Sequence, residues 1–384
     1  MKKYSMIFAA CAMVLFAACN KEEEKAYTVN GDMVTFNMGM DVIQNNDKQS
    51  YNGEQKRIFF TSDDQVIVNG TVCDVTPYPS HIVGSNSTWS NRAKVTVPMA
   101  ANNQYDFYYP AAVYNDLSSS KVSFGYGSTF PEEVVMLNGA QRNDISTWTN
   151  GMVPVWPMYF RIPDLNNFSG IPEILNAVSF ISPAITYGPA WCNEAFAPVT
   201  GAANFTNENC PTLYVTDVIV TSSENLAGDA YLNNSNPNNP KMVLYDNEAT
   251  TIVCHAQGAN QGEQGAAQVT ATTGASSTSQ EVINVLGIVP IPPMENLDSK
   301  SWQMQVYFHV DLIPEGETTP VTYYYVFTTN EVQQSDPLMR SKRNWLQVNF
   351  QTVGTGWPQQ TADGINFANG TLLNPSTTPI PLPN

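Results

Sequence analysis

The residues able to do chemistry in this chain are few. Only 13% of its 384 residues are charged, and it holds six cysteines and three histidines. Two adjacent acid pairs stand out, Asp63-Asp64 and Glu132-Glu133. Neighbouring carboxylates could bind calcium or share acid and base roles; beside a strand or helix start, the plainer reading is solvated loop residues. His81, His255 and His309 sit at no ligand spacing, and no Cys-x-x-Cys occurs, so no metal site is expected. His309 falls on the polar side of an alternating run and reads as a surface residue rather than a base. Tyr105, Phe107, Tyr108 and Tyr109 could stack sugars, but aromatic residues are ordinary strand residues and packing is the simpler role. There is no nucleophile elbow, zinc His-Glu motif, Gly-rich phosphate loop or EF-hand loop. No catalytic residue and no cofactor is assigned, and an enzyme is not expected.

The sharpest chemical signal is Cys19. Lys2 and Lys3 precede a short apolar run, Met6 to Ala18, too short to span a bilayer as a helix. Small residues Ala17 and Ala18 then lead to Cys19 and to Lys21-Glu22-Glu23-Glu24. The pattern resembles a bacterial lipoprotein signal, in which residues 1–18 are removed and Cys19 is acylated. Cys11 repeats the Phe-Ala-Ala-Cys tetrapeptide but lies inside the apolar run. Two or more acyl chains hold a protein stably on a membrane. The acidic run resembles the surface-export signal of Bacteroidetes lipoproteins, so the outer membrane and cell surface are the expected location. Cys73, Cys192, Cys210 and Cys254 remain for the folded part. An oxidising compartment permits disulfides, and Cys192 and Cys210 are closest in sequence. Four cysteines allow three pairings, and spacing does not choose.

Elements must position these residues, and the patterning is β throughout. Removing residues 1–18 leaves 366 residues, enough for about two or three domains. Loss of Lys2 and Lys3 takes the formal charge from −17 to −19, which argues against nucleic acid and anionic surfaces as partners. Residues 20–31 read as a polar leader. Val34, Phe36, Met38, Met40 and Val42 then alternate with polar or small residues, a half-buried strand by period. A polar loop, 44–56, ends at Lys56-Arg57. Gln65 to Val68 runs into Asn69-Gly70, a hairpin signal. Further strands are expected at 93–99, 104–110, 213–220, 230–232, 302–310, 322–328 and 346–350. Glu132–Leu137 and Pro172–Val178 are the helix candidates, and 259–279 reads as a flexible excursion. Many short strands with little helix imply β-sandwiches, and this length asks for two cores.

Several segments together resemble the fimbrillins, the type V pilins of Bacteroidales. They are the Cys19 signal, the 34–42 strand followed by Lys56-Arg57, and Asp64-Gln65-Val66-Ile67-Val68-Asn69-Gly70. Phe107-Tyr108-Tyr109-Pro110, Asp217–Val220 with Leu226-Ala227-Gly228, and Arg343-Asn344-Trp345 to Gly354-Thr355-Gly356 complete the set. The resemblance implies two transthyretin-like β-sandwich domains in tandem: a leader over 19–57, an N-terminal domain over 58–175, a C-terminal domain over 176–356 and a tail over 357–384. It implies a structural and adhesive fimbrial subunit. A trypsin-like protease would cut after Arg57, with Lys48 and Lys56 as rival sites. The leader strand would leave, and its groove would take a strand from another subunit. The donor tail would use Ile365 and Phe367, or Ile380 and Leu382. Pro375, Pro379, Pro381 and Pro383 remove ladder donors there, a departure from a stalk pilin. Expected partners are other pilin subunits, the outer membrane through the lipid and an unspecified host or bacterial surface ligand. The alternative is a surface glycan-binding lipoprotein, which would show several Trp and Tyr on one exposed face and no ordered C-terminal arm.

Overall fold

The computed structural model describes residues 25–45, 56–57, 60, 62–78, 90, 92–111, 114, 129–137, 156–245, 249–258, 263–271, 284–350, 364–367, 370–373 and 375–383. The strands of its first part are β1 (Tyr27–Asn30), β2 (Met33–Met40), β3 (Val42–Asn45), β4 (Lys56–Arg57), β5 (Gln65–Val68), β6 (Thr71–Asp74), β7 (Thr76–Pro77), β8 (Arg92–Pro98) and β9 (Tyr105–Tyr109). Next come β10 (Thr129–Phe130), β11 (Glu133–Val135), β12 (Met158–Ile162), β13 (Glu173–Asn176), β14 (Ser179–Thr186), helix α1 (Pro189–Thr200), β15 (Leu213–Ser222), β16 (Gly228–Asn233), β17 (Lys241–Leu244) and β18 (Thr251–His255). The last part holds β19 (Ala267–Val269), β20 (Asn284–Val285), β21 (Val289–Ile291), β22 (Lys300–Leu312), β23 (Val321–Thr329), β24 (Val332–Gln334), β25 (Lys342–Asn349), β26 (Gly364–Phe367) and β27 (Gly370–Leu372).

The architecture is all-β and sandwich-like, built from several sheets. One sheet runs β6-β5-β9-β12-β13-β2-β8-β7, with β1 beside β2. A second runs β11-β18-β15-β22-β23-β27, with β19 on β15 and β24 on β22. A third runs β20-β14-β25-β3-β4, with β21 on β14 and β26 on β25; a small one runs β10-β16-β17. Most buried apolar side chains form one cluster running from Val34 to Phe367, and Ile219, Tyr307 and Val326 form a second, smaller one.

Strands appear where alternation is regular. Asn69 (φ 48°) and Gly70 (φ 83°) both sit in the left-handed region, as a two-residue turn between β5 and β6 demands. Both helix candidates are strands instead: Glu133–Val135 pairs in parallel with β18, and Glu173–Asn176 pairs with β12 and β2. Each is too short to pay for helix nucleation, and a waiting sheet edge satisfies its backbone. The leader is not wholly unstructured either, since Tyr27–Asn30 pairs with β2. The excursion over 259–279 contributes β19.

The helix falls where none is expected. Pro189 opens α1 after an extended Gly188, and Gly201 ends it at φ 57°. Trp191, Cys192 and Phe196 are its buried residues. Their spacing makes a narrow stripe, and Pro198 inside the last turn hides the helix from pattern reading. β14 is equally hard to read. All eight of its residues are buried, so alternation vanishes, and Pro183 sits within it.

Candidate functional site: the leader strand, its junction and the tail

The leader strand is an interior strand. β2 pairs antiparallel with β8 over seven positions, Met33↔Pro98 to Gly39↔Arg92. Its other edge is shared. β1 covers Met33 to Phe36, and β13 pairs in parallel at Gly39 and Met40. Val34, Phe36 and Met38 are completely buried and Met40 is 8% exposed. Phe36 meets Tyr105 and Phe107 edge-on, at centroid distances of 4.9 and 5.2 Å. The outer face is covered too: Asn37 is buried, and its N–H and side-chain amide donate to the carbonyls of Ala26 and Lys25.

Val42 departs from the expected single run. β2 ends at Met40, and after Asp41 the chain enters another sheet, where β3 runs parallel to β25 through Gln44↔Lys342 and Asn45↔Arg343. Asp41 makes this crossing possible. Its Oδ2 accepts from Arg340 Nη1 at 3.1 Å, from the Asn176 backbone N–H at 3.3 Å and from the Ser341 hydroxyl. Its own N–H donates to the Ile174 carbonyl at 2.9 Å. One carboxylate thus ties the leader to the segment before β25 and to the end of β13. Sequence reading passes over Asp41 because its partners lie more than a hundred residues away.

β4 returns along β3, with Arg57 opposite Val42 and Lys56 opposite Ile43. A cut after Arg57 therefore falls at the end of a two-residue strand on the rim of its sheet. Cys19 lies outside the described residues.

The two halves of the tail are held differently. Ile365 and Phe367 are 2% and 1% exposed, inside the chain's own main core, on β26 parallel to β25. Ile380 and Leu382 are half-buried and pack against a separate patch of Ile219, Tyr307, Val326 and Val253 on β15, β22, β23 and β18. Ser376 exchanges two backbone hydrogen bonds with Tyr324 (2.7 and 3.1 Å), and Leu373 N–H donates to the Val326 carbonyl at 3.0 Å.

The remaining candidates resolve as packing. Asp63 is exposed, but Asp64 is buried, not solvated, and accepts from the Tyr109 hydroxyl at 2.6 Å. Burial, with Asp64 adding to it, pushes the Tyr109 phenol well above its usual value. Glu132 and Glu133 are exposed. Tyr105, Phe107 and Tyr109 are core residues, while Tyr108 packs on Tyr114 and Tyr159. His309 is half-buried, stacked on Tyr214 at 5.0 Å and 8°; burial lowers its pKa, opposed by Asp311. One pair escaped sequence reading: His255 Nδ1 lies 2.6 Å from Asp217 Oδ1, next to a register slip at Thr216. Among the described residues there is no cluster of three or more metal-ligating side chains, and no helix is long and apolar enough to cross a membrane.

No family model matches the chain, and no curated protein matches it. Among solved structures it is similar to a Bacteroides uniformis protein provisionally assigned to cell adhesion. That similarity is 8% identity and a TM-score of 0.27, over 74% of this chain and 98% of that one. A likeness so faint carries no argument about function.

Proposed function

We propose that the chain is a cell-surface structural and adhesive subunit of a fimbria, first anchored by lipid on Cys19 and assembled by strand exchange once its leader is removed. The observation that carries this reading is the burial of β2 in the middle of a sheet, on a segment joined to the rest through Lys56-Arg57. Withdrawing the leader would leave β8 and β13 with unpaired backbone edges. It would also uncover the space filled by Val34, Phe36, Met38 and Met40, worth on the order of 6–12 kcal/mol of burial. Such a groove accepts an extended strand of alternating apolar residues from a second copy. The segment 375–383 is a better donor than 364–367, because releasing Ile380 and Leu382 leaves the main core intact.

The glycan-binding alternative draws less support. Trp156, Trp191, Trp302 and Trp345, the tryptophans among the described residues, are all buried, and the C-terminal arm lies ordered against a sheet.

Limited trypsin digestion, followed by intact mass, N-terminal sequencing and native gels, tests the proposal. A new N-terminus at Ile58 together with a ladder of oligomers is expected. A monomer that resists cutting and keeps its leader overturns the polymerising reading and sends the search to glycans.

A further inference from the structure

Helix α1 and the excursion that follows it are joined by unusually dense local bonding. Asn193 closes a reciprocal pair with Phe205: its Nδ2 donates to the Phe205 carbonyl at 3.1 Å and its Oδ1 accepts from the Phe205 N–H at 2.6 Å. The Phe196 and Phe205 rings meet edge-on at 6.1 Å. The Tyr187 hydroxyl, just before the helix, donates to the Pro211 carbonyl at 2.6 Å. These contacts fold residues 201–211 back onto the helix. They bring the thiols of Cys192 and Cys210 to 2.8 Å from one another. Cys192 is buried in the helix and Cys210 is half-buried at the end of the excursion. Cys73 lies on β6 and Cys254, completely buried, on β18, in different sheets.

We propose that Cys192 and Cys210 are a disulfide-forming pair that clips α1 to the excursion. The helix sets Trp191, Cys192 and Phe196 into the main core. The Trp191 ring is tilted against Phe350 and Phe308, at centroid distances of 4.9 and 6.3 Å. A bond across residues 192–210 restricts the unfolded chain and holds the helix on the core where no cytosolic reductant protects a thiol. The oxidant is an external disulfide, of a small molecule or of a thiol oxidoreductase. Cys210, the more accessible sulfur, attacks it as the thiolate and releases one external thiol. Cys192 then gives up its proton, attacks the Cys210 sulfur and releases the second external thiol. Two protein S–H bonds and one external S–S bond are lost; one protein S–S bond and two external S–H bonds form. A hydrogen bond accepted from the Cys192 S–H stabilises the Cys210 thiolate and holds its pKa below the ordinary value, which favours it as the attacking sulfur.

The pairing is separable from assembly, because it is read on the uncut chain. The full protein, purified in detergent, is equilibrated with oxidised glutathione, denatured, alkylated without reduction and digested after glutamate. Cutting at Glu194 and Glu208 places the two cysteines on different peptides, 174–194 and 209–224. Those two peptides should run as one linked species, with Cys73 and Cys254 alkylated. Alkylation of both Cys192 and Cys210, a bond from either to Cys73 or Cys254, or glutathione retained on Cys210 alone overturns the proposal. As a second readout, reductant should speed proteolytic nicking within 195–209 about tenfold in the wild type and leave Cys210→Ser unaffected. Equal nicking of the wild type with and without reductant overturns the clip.

Discussion

At the scale of single residues, the leader is held by one carboxylate as well as by its apolar side chains. Asp41 gathers donors from Arg340, Ser341 and Asn176, and both charged partners are largely shielded from water. Asp41→Ala would leave the Arg340 guanidinium without its carboxylate, with Asn239 and the Asn176 carbonyl still accepting from it, and is expected to cost about 2–4 kcal/mol in denaturant unfolding. The same change should hasten cutting after Arg57, because it loosens the crossing between β2 and β3. His309 supplies a pH dependence. Burial among Tyr214 and Tyr324 depresses its folded pKa below the unfolded value, so the unfolded state binds more protons as pH falls. Stability should therefore decline as pH drops through about 6.5. His309→Gln should flatten that part of the profile of thermal midpoint against pH; an unchanged slope would assign the effect to other groups.

At the scale of elements, β2 and the two parts of the tail should behave differently. Phe36→Ala removes a ring packed on Tyr105 and Phe107 and is expected to cost about 3–5 kcal/mol. In the tail, Phe367→Ala should be of similar size, since that side chain belongs to the main core. Leu382→Ala, on the half-buried outer patch, should cost about 1 kcal/mol or less. Chemical denaturation of the three variants reads this order. A large loss at Leu382 with a small one at Phe367 would reverse the assignment of the releasable segment. Gly370 fixes where the tail turns onto the sheet: a Cβ there would stand 2.4 Å from the Phe327 ring, so Gly370→Ala should detach β27 from β23. Such regular elements were legible in the sequence wherever one face meets the core and the other meets water. β22 follows its alternation closely, broken at Tyr307, which belongs to the outer patch under the tail. β14 was not legible, because burial on both faces erases period two, and α1 was not, because its buried stripe is narrow.

At the scale of the whole molecule, the leader stitches the chain together. β1 and β2 belong to one sheet, β3 and β4 to another, and Asp41 marks the passage between them. Removal of residues 19–57 would therefore open one sheet and free part of an edge of a second. Protein cut at Arg57 should expose new apolar surface, measured as increased binding of a hydrophobic dye before oligomers form and a decline as they form. Dye binding unchanged by cutting would mean that the leader stays seated. The run from Val34 to Val42 could be recognised as a half-buried strand from its own residues; its end at Met40 and the cover on its outer face could not. Local period and composition likewise determined the β character of the chain, its acidic charge and the Asn69-Gly70 turn, because each depends on neighbours in sequence. Only the tertiary structure decided that β2 lies between β8 and β13, that Asp41 meets Arg340, that Cys192 meets Cys210, and that Ile365 belongs to the core while Ile380 lies on a separate patch. Those are pairings across long separations, set by which sheet edges and cavities remain to be filled, and no local pattern records them.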